Sequence, residues 1–209
     1  MSEQPRIFVV DDDPAVRDAL TLLIEQEGLP VTAFDSAEAF LAHCHGKCRG
    51  CIILDVRMPG MDGVQLQEEI VRRGCILPVI FLTAFGDIPM TVQAMKAGAV
   101  DFLTKPVTGA ALMASLQIAL EECERRLALA ESNEEASSRL ASLTGREREV
   151  MVLAVEGHSN KEIARRLGIS HRTVEIHRGR IMQKTGTNTL IDLARVAQEG
   201  GVMAAEARA

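Results

Sequence analysis

The stretch Cys51-Ile52-Ile53-Leu54-Asp55, followed after three intervening residues by Pro59-Gly60-Met61-Asp62-Gly63, decides the fold. The run before Asp55 is apolar and does not alternate with polar residues, which indicates a strand covered on both faces. The segment that begins with Pro59 then predicts a turn. An acidic residue therefore stands at the carboxyl end of a buried strand.

The same pattern recurs along the first part of the chain. Apolar runs alternate with amphipathic stretches such as Val16–Ile24, which is typical of consecutive β/α units. Five strands are predicted, at Ile7–Val10, 31–34, Cys51–Leu54, Val79–Leu82 and Val100–Leu103. Because strands of this kind need helices on both faces, we predict an α/β fold with a five-stranded doubly wound parallel sheet.

The remainder of the chain is predicted to be helical. Residues from Ala110 to about Ser138 include no glycine or proline, which predicts a fifth helix that continues into a helical linker. Four more helices are predicted at 144–156, 159–166, 170–185 and 189–199, with Ser159, Ser170 and Asn188 as N-caps. We therefore expect a first domain at 1–124, a linker at 125–142 and a small all-α domain at 143–209.

Charge separates the two predicted domains. Residues 1–124 contain 9 Lys/Arg and 18 Asp/Glu, whereas residues 143–197 contain 10 and 6. An acidic half suits a cation, and a basic half suits a polyanion such as DNA. No apolar run is long enough to cross a bilayer, and residues 1–6 lack signal-peptide features. We therefore expect a cytoplasmic protein with no membrane partner, whose five cysteines are free thiols.

Polar residues follow four of the five predicted strands, and in a parallel sheet the carboxyl ends of the strands form the functional edge. They are Asp11, Asp12 and Asp13 after the first strand, Asp55 after the third, Thr83 after the fourth and Lys105 after the fifth. Crowded carboxylates need a hard cation such as Mg²⁺, and a carboxylate beside that cation can attack a phosphoryl group. Lys105 would pair with the phosphoryl oxygens, and Thr83 would donate a hydrogen bond to them.

Residues 5–122 resemble the receiver domains of response regulators, which have a flavodoxin-like fold. The resemblance rests on Val9-Val10-Asp11-Asp12, on Leu54 to Gly63, on Leu82-Thr83-Ala84 and on Lys105-Pro106. It implies that Asp55 is the phosphoacceptor, that Asp12, Asp55 and the Arg57 carbonyl bind Mg²⁺ directly, and that Asp11 binds it through water. Asp13 matches no acidic position of the family. The resemblance also implies a switch formed by Thr83 and Phe102, and control of phosphoryl lifetime by Arg57 and Phe85.

The C-terminal segment has a helix-turn-helix layout, in which Leu167-Gly168-Ile169 forms the turn and residues 170–184 present one face to the DNA major groove. It resembles the LuxR-type domain over about residues 140–198, and together with a receiver it resembles the NarL/FixJ family, nearest to the FixJ subgroup. By this resemblance Glu175, Ile176 and Gly179 face the bases, whereas Thr173, Arg178 and Lys184 contact phosphates. The full set of predicted DNA-binding residues is Lys161, Arg172, Thr173, Glu175, Ile176, His177, Arg178 and Lys184.

These resemblances imply a phosphorylation-activated transcriptional regulator of a two-component system. A sensor histidine kinase would phosphorylate Asp55, and the surface around the helix and strand that follow Thr83 would rearrange. The protein would then form a homodimer that binds double-stranded promoter DNA and acts on RNA polymerase. It would not be an enzyme, apart from catalysing loss of its own phosphoryl group. Two alternatives are an aspartyl phosphatase, which needs a second acid such as Asp11 or Asp13, and a phosphate-independent DNA-binding protein.

One cluster of cysteines and histidines has no place in that account. The segment His43-Cys44-His45-Gly46-Lys47-Cys48-Arg49-Gly50-Cys51 includes a Cys-x-x-Cys spacing that suits a metal or redox site. However, Cys51 begins a buried strand whereas Cys44 ends a helix, which favours a structural role. Cys75 and Cys123 are predicted to be small apolar core residues.

Overall fold

The structure is a computed structural model that describes residues 4–44, 48–84, 92 and 94–202. Contacts along the chain divide it into two units, Met1–Leu127 and Ala128–Ala209. Within the described residues, no helix combines the length and apolar character that crossing a membrane requires.

The first unit is built on a five-stranded parallel sheet in the order β2-β1-β3-β4-β5. Its strands are β1 (Arg6–Val10), β2 (Val31–Phe34), β3 (Gly50–Asp55), β4 (Val79–Thr83) and β5 (Asp101–Thr104). All residues of β3 and β4 are buried, as the uninterrupted apolar runs predict. The predicted fold class is confirmed, and each strand lies within one residue of its predicted bounds.

Helices cover both faces of this sheet. They are α1 (Pro14–Gln26), α2 (Ala37–His43), α3 (Gly63–Arg72) and α4 (Gly109–Ala141). One core lies between the sheet and helices α2 and α3, and the other lies between the sheet and helices α1 and α4. Helix α4 continues past Leu127, where the first unit ends. The segment between the fourth and fifth strands, where the β/α pattern predicts a further helix, includes residues 85–91 and 93, which lie outside the described residues.

The second unit is helical, with α5 (Gly145–Val155), α6 (Asn160–Leu167), α7 (His171–Thr185) and α8 (Leu190–Glu199). Ser159 and Ser170 cap α6 and α7 as predicted. The predicted N-cap Asn188 is wrong, because the backbone N–H of Asp192 donates at 3.1 Å to the hydroxyl of Thr189. The helices enclose one core, which includes Val150, Ile163, Val174, Ile181 and Leu193.

Candidate functional site

The candidate site lies at the carboxyl edge of the sheet. Asp55 ends β3 and is paired in register with Leu82 of β4, while Val10 of β1 is paired with Leu54. Asp11 and Asp12 follow Val10 directly, so adjacent strands carry the three acidic residues to the same edge. One carboxylate oxygen from each of Asp11, Asp12 and Asp55 lies within 4.8 Å of the others.

The three carboxylates differ in exposure. Asp11 and Asp55 are buried, with 2% and 7% of their surface exposed, whereas Asp12 is exposed. Asp13 has a different role, because its Oδ1 accepts a hydrogen bond of 2.9 Å from the Ala15 backbone and caps α1. The predicted cluster therefore consists of the first two acidic residues and Asp55, and Asp13 lies outside it.

Lys105 supplies the positive charge of the site. Its Nζ lies 2.6 Å from Oδ2 of Asp11 and 3.1 Å from Oδ1 of Asp55. Burial raises the pKa of Asp55, and the charges of Asp11 and Asp12 raise it further, against the lowering effect of Lys105. Burial acts to lower the pKa of Lys105, but the hydrogen bonds to Asp11 and Asp55 outweigh it, so the pKa of Lys105 is raised.

The loop after Asp55 is held closely against the start of α3. The backbone N–H of Gly63 donates to the Val56 carbonyl at 3.0 Å, and a Cβ atom on Gly63 would lie 2.2 Å from the Asp55 carbonyl oxygen. Asp62 and Gln65 form a capping box that begins this helix. Glycine at 63 thus allows the backbone of Asp55 to approach α3. The local sequence indicates Gly63 only as part of a turn.

The predicted switch residues lie on β4, which pairs with the Asp55 strand, and on β5, which pairs with β4. Thr83 is 1% exposed at the end of β4, and its carbonyl accepts a hydrogen bond of 2.7 Å from the Lys105 backbone. Phe102 is half-buried on β5, with its ring 6.2 Å from that of Phe81. Arg57 is exposed, and Phe85 lies outside the described residues.

The second unit contains the predicted helix-turn-helix, formed by α6 and α7. Ile163 of α6 and Val174 of α7 are fully buried in the same core, and Ala164 and Leu167 pack against that core. Gly168 ends α6 in the left-handed conformation at φ 64°, which favours glycine. The residues left exposed on the two helices include Lys161, Arg172, Glu175, Ile176 and Gly179.

Four of the predicted DNA-binding residues are engaged or partly buried within the second unit. Lys184 Nζ lies 2.7 Å from Oε2 of the buried Glu147, and Arg178 donates to Oδ1 of Asn160 at 2.8 Å. The Thr173 hydroxyl bonds that of Ser170 at 2.8 Å. His177 is half-buried, and its buried Nδ1 lacks a hydrogen-bond partner among the described residues. The pairing with Glu147 could not be read from local sequence, because 37 residues separate the two side chains.

Domains of these two kinds on one chain define a class, the regulators in which a receiver domain is joined to a helix-turn-helix domain. Residues 7–117 match the family described as the response regulator receiver domain. Residues 141–197 match the family described as bacterial regulatory proteins, luxR family. The chain therefore belongs to the response regulators with a LuxR-type DNA-binding domain, which are transcriptional regulators of two-component systems. The resemblance inferred from the sequence is confirmed.

Relatives match along nearly their whole length. The transcriptional regulatory protein FixJ of Bradyrhizobium diazoefficiens is 41% identical, over 97% of this chain and 99% of that protein. FixJ of Azorhizobium caulinodans is 43% identical, over 99% and 98%. Among solved structures, the response regulator StyR is similar with a TM-score of 0.76 and 43% identity, over 94% of this chain and 100% of StyR.

The Cys48-x-x-Cys51 spacing does not form a site, because these two residues lie on opposite faces of the sheet. Cys48 packs against the core beneath α2 and α3, whereas Cys51 lies in the core beneath α1 and α4. Cys48 instead meets Cys44. His43 lies against the rings of Phe8 and Phe34, and His45 falls outside the described residues.

Proposed function

We propose that Asp55 accepts a phosphoryl group from a sensor histidine kinase, and that this promotes dimerisation and binding to promoter DNA. The observation that carries the proposal is the position of the Asp55 carboxylate, within 3.1 Å of Lys105 Nζ and in one cluster with Asp11 and Asp12. In the transfer, an Asp55 oxygen forms a bond to phosphorus as the bond from phosphorus to the donor breaks. Lys105 pairs with the phosphoryl oxygens, and Thr83 donates its hydroxyl to them.

The acidic cluster fits Mg²⁺, because it offers only hard oxygen donors and a net negative charge that one lysine does not balance. Asp12, Asp55 and the Arg57 carbonyl would bind the ion directly, and Asp11 would bind it through water. When bound, Mg²⁺ neutralises charge on the phosphoryl group as it is transferred. Asp11 also holds Lys105 beside Asp55, at 2.6 Å.

An aspartyl phosphatase is less well supported. That activity needs a second acid free to exchange protons with substrate, and Asp13 caps α1 while Asp11 is paired with Lys105. The same pocket can instead admit water to hydrolyse the aspartyl phosphate slowly. Arg57 and Phe85 then control access of that water and thus the lifetime of the signal.

The output follows from movement of Thr83 toward the phosphoryl group and an inward turn of Phe102. Residues 1–124 act as the receiver, 125–142 as the helical linker and 143–209 as the DNA-binding domain. In the dimer, DNA is contacted by the predicted DNA-binding residues, which include Lys161, Arg172, Glu175 and Ile176. The bound protein acts on RNA polymerase. Its kinase partner would present the phosphoryl group in the cytoplasm.

Selection of DNA from a pool of random duplexes tests this function. The protein is treated with acetyl phosphate and Mg²⁺, the bound duplexes are sequenced, and Asp55→Asn is carried in parallel. We expect a sequence preference and a dimer in sedimentation for the phosphorylated protein, both much weaker for Asp55→Asn. Equal enrichment of the same sequence by both proteins would support the phosphate-independent alternative.

A further inference from the structure

Three of the five cysteines form a thiol cluster that the function above does not use. The Sγ atom of Cys44 lies 3.4 Å from that of Cys48 and 3.7 Å from that of Cys75. All three are half-buried free thiols. Cys44 is therefore the central member, with two thiols within reach.

This thiol cluster is remote from the phosphoacceptor edge. Cys44 ends α2, Cys48 precedes β3, and Cys75 follows α3. Strand β3 runs from Gly50 to Asp55, so the cluster and Asp55 lie toward opposite ends of that strand. At about 3.3 Å per residue, the strand separates the two sites by roughly 15 Å.

A small cavity distinguishes Cys75 from Cys48 as the partner of Cys44. It has a volume of about 40 Å³ and is lined by Phe40, Leu41, Cys44, Ile70, Arg73 and Cys75. Because a single water needs only about 10–15 Å³ of such space, the cavity can admit a molecule as small as hydrogen peroxide. Such a molecule would meet both Cys44 and Cys75.

The environment also favours the reactive form of one thiol. The contact with the Cys44 thiol, together with the hydrogen bond from the Leu77 backbone, outweighs burial and lowers the pKa of Cys75 to about 7. The contact with Cys75, followed by burial, raises the pKa of Cys44. The lowered pKa and the backbone donor at Leu77 favour Cys75 as the thiol that attacks.

We propose that Cys44 and Cys75 are a peroxide-sensitive pair that forms a disulfide within the receiver domain. The Cys75 sulfur attacks one peroxide oxygen, the S–O bond forms as the O–O bond breaks, and the departing hydroxide takes a proton to become water. The Cys44 sulfur then attacks the Cys75 sulfur, the S–S bond forms as the S–O bond breaks, and a second water leaves with the Cys44 proton. Two thiols are oxidised and one peroxide is reduced.

The geometry permits this bond with little movement. A disulfide has an S–S length of about 2.05 Å, so from 3.7 Å each sulfur moves by roughly 0.8 Å. The bond would join the end of α2 to the segment that leads from α3 into β4. Cys51, in the core on the other face of the sheet, and Cys123, on helix α4, are both fully buried, so they are internal controls.

Peptide mapping tests the pair directly, because trypsin places all five cysteines on different peptides. Cleavage after Arg17, Lys47, Arg49 and Arg73 separates Cys44, Cys48, Cys51 and Cys75. The full-length protein is treated with hydrogen peroxide, unfolded, alkylated and digested without reductant. We expect one dominant linked species that joins peptide 18–47 to peptide 74–96, lost with dithiothreitol and absent in Cys75→Ser. Cys48→Ser should keep it.

Three results would overturn the proposal. They are alkylation of all five thiols after peroxide, a principal link between Cys44 and Cys48, and links that form only between two molecules. Phosphorylation of Asp55 is measured on the same samples with acetyl phosphate. We expect Cys75→Ser to be phosphorylated at the unmodified rate, so loss of the disulfide and failure of the phosphoacceptor are separate outcomes.

Discussion

The ammonium of Lys105 lies 3.1 Å from the carboxylate of Asp55, although 50 residues separate them along the chain. The same ammonium is 2.6 Å from Asp11, so one positive charge is shared by two buried carboxylates. The pocket therefore keeps an excess of negative charge, which suits a divalent cation, and holds the lysine where a phosphoryl group on Asp55 would be.

Replacement of Lys105 should destabilise the protein in the absence of divalent ions. In Lys105→Met, two buried carboxylates lose their partner, and we expect the free energy of unfolding to fall by about 3 kcal/mol. Urea unfolding at pH 7 with a chelator measures it, and added Mg²⁺ should restore part of the loss. The matched control is Lys96→Met at an exposed lysine, with an expected change within about 0.5 kcal/mol. Similar losses in both variants would contradict the shared ion pair.

The close approach between Gly63 and Asp55 gives a second prediction. A Cβ atom at 63 would meet the Asp55 carbonyl oxygen at 2.2 Å, so Gly63→Ala must displace the loop. We expect a loss of about 1–3 kcal/mol in unfolding free energy and slower phosphorylation by acetyl phosphate. Gly109→Ala is the control, since the nearest atom to its Cβ is a flexible Leu23 methyl at 3.9 Å. Normal phosphorylation of Gly63→Ala would show that the loop tolerates the shift.

Acid should weaken the second unit through Glu147. Hydrogen bonds from Lys184 and then from the Thr144 backbone lower the pKa of Glu147 from 4.5 to about 2. A lowered folded-state pKa stabilises the fold above pH 4.5, and this contribution, at most about 3 kcal/mol, is lost as pH falls toward 2. Urea unfolding across pH 2–6 should show a smaller loss in Glu147→Gln, which keeps the capping box.

Glu149→Gln is the control for that pH series, because Glu149 is exposed. Parallel pH profiles for the parent and Glu147→Gln would refute the assignment of the acid sensitivity to Glu147.

The contact with Glu147 also bears on Lys184, which was predicted from sequence to bind DNA phosphate. If the pair with Glu147 is the main role of Lys184, Lys184→Met should lower the free energy of unfolding and should change the salt dependence of DNA binding little.

Two isoleucines on α7 should respond differently to truncation. Ile176 is 48% exposed on the predicted DNA-facing surface, whereas Ile181 is fully buried. Ile176→Ala should leave the unfolding free energy within about 0.5 kcal/mol of the parent, and Ile181→Ala should lower it by about 2–5 kcal/mol. Fluorescence anisotropy with the selected duplex should show weaker binding by Ile176→Ala, by about 1–3 kcal/mol if Ile176 reads a base. Unchanged binding would remove Ile176 from the interface.

Local sequence predicted the elements because each carries its own signal. The apolar run before Asp55 indicates a buried strand by itself, and Ser159 and Ser170 mark helix starts. Asn188 shows the limit of this reasoning, since Asn188 and Thr189 are both good N-caps and only the observed contact with Asp192 distinguishes them.

Contacts between distant segments could not be read in the same way. The acidic cluster was predictable because parallel strands carry their carboxyl ends to one edge, so each position is fixed by its strand. No comparable rule predicts the position of Cys75 in the fold. Its approach to Cys44 depends on how α2 and α3 pack, and sequence spacing suggested Cys51 as the partner of Cys48 instead.

The central claim is that Asp55 accepts the phosphoryl group, and intact mass spectrometry tests it most directly. The protein and Asp55→Asn are each incubated with acetyl phosphate, with Mg²⁺ or with a chelator. We predict one added phosphoryl group on the parent protein, only with Mg²⁺, and none on Asp55→Asn. Phosphorylation of Asp55→Asn to the same extent, or no phosphorylation of the parent at any Mg²⁺ concentration, would contradict the account.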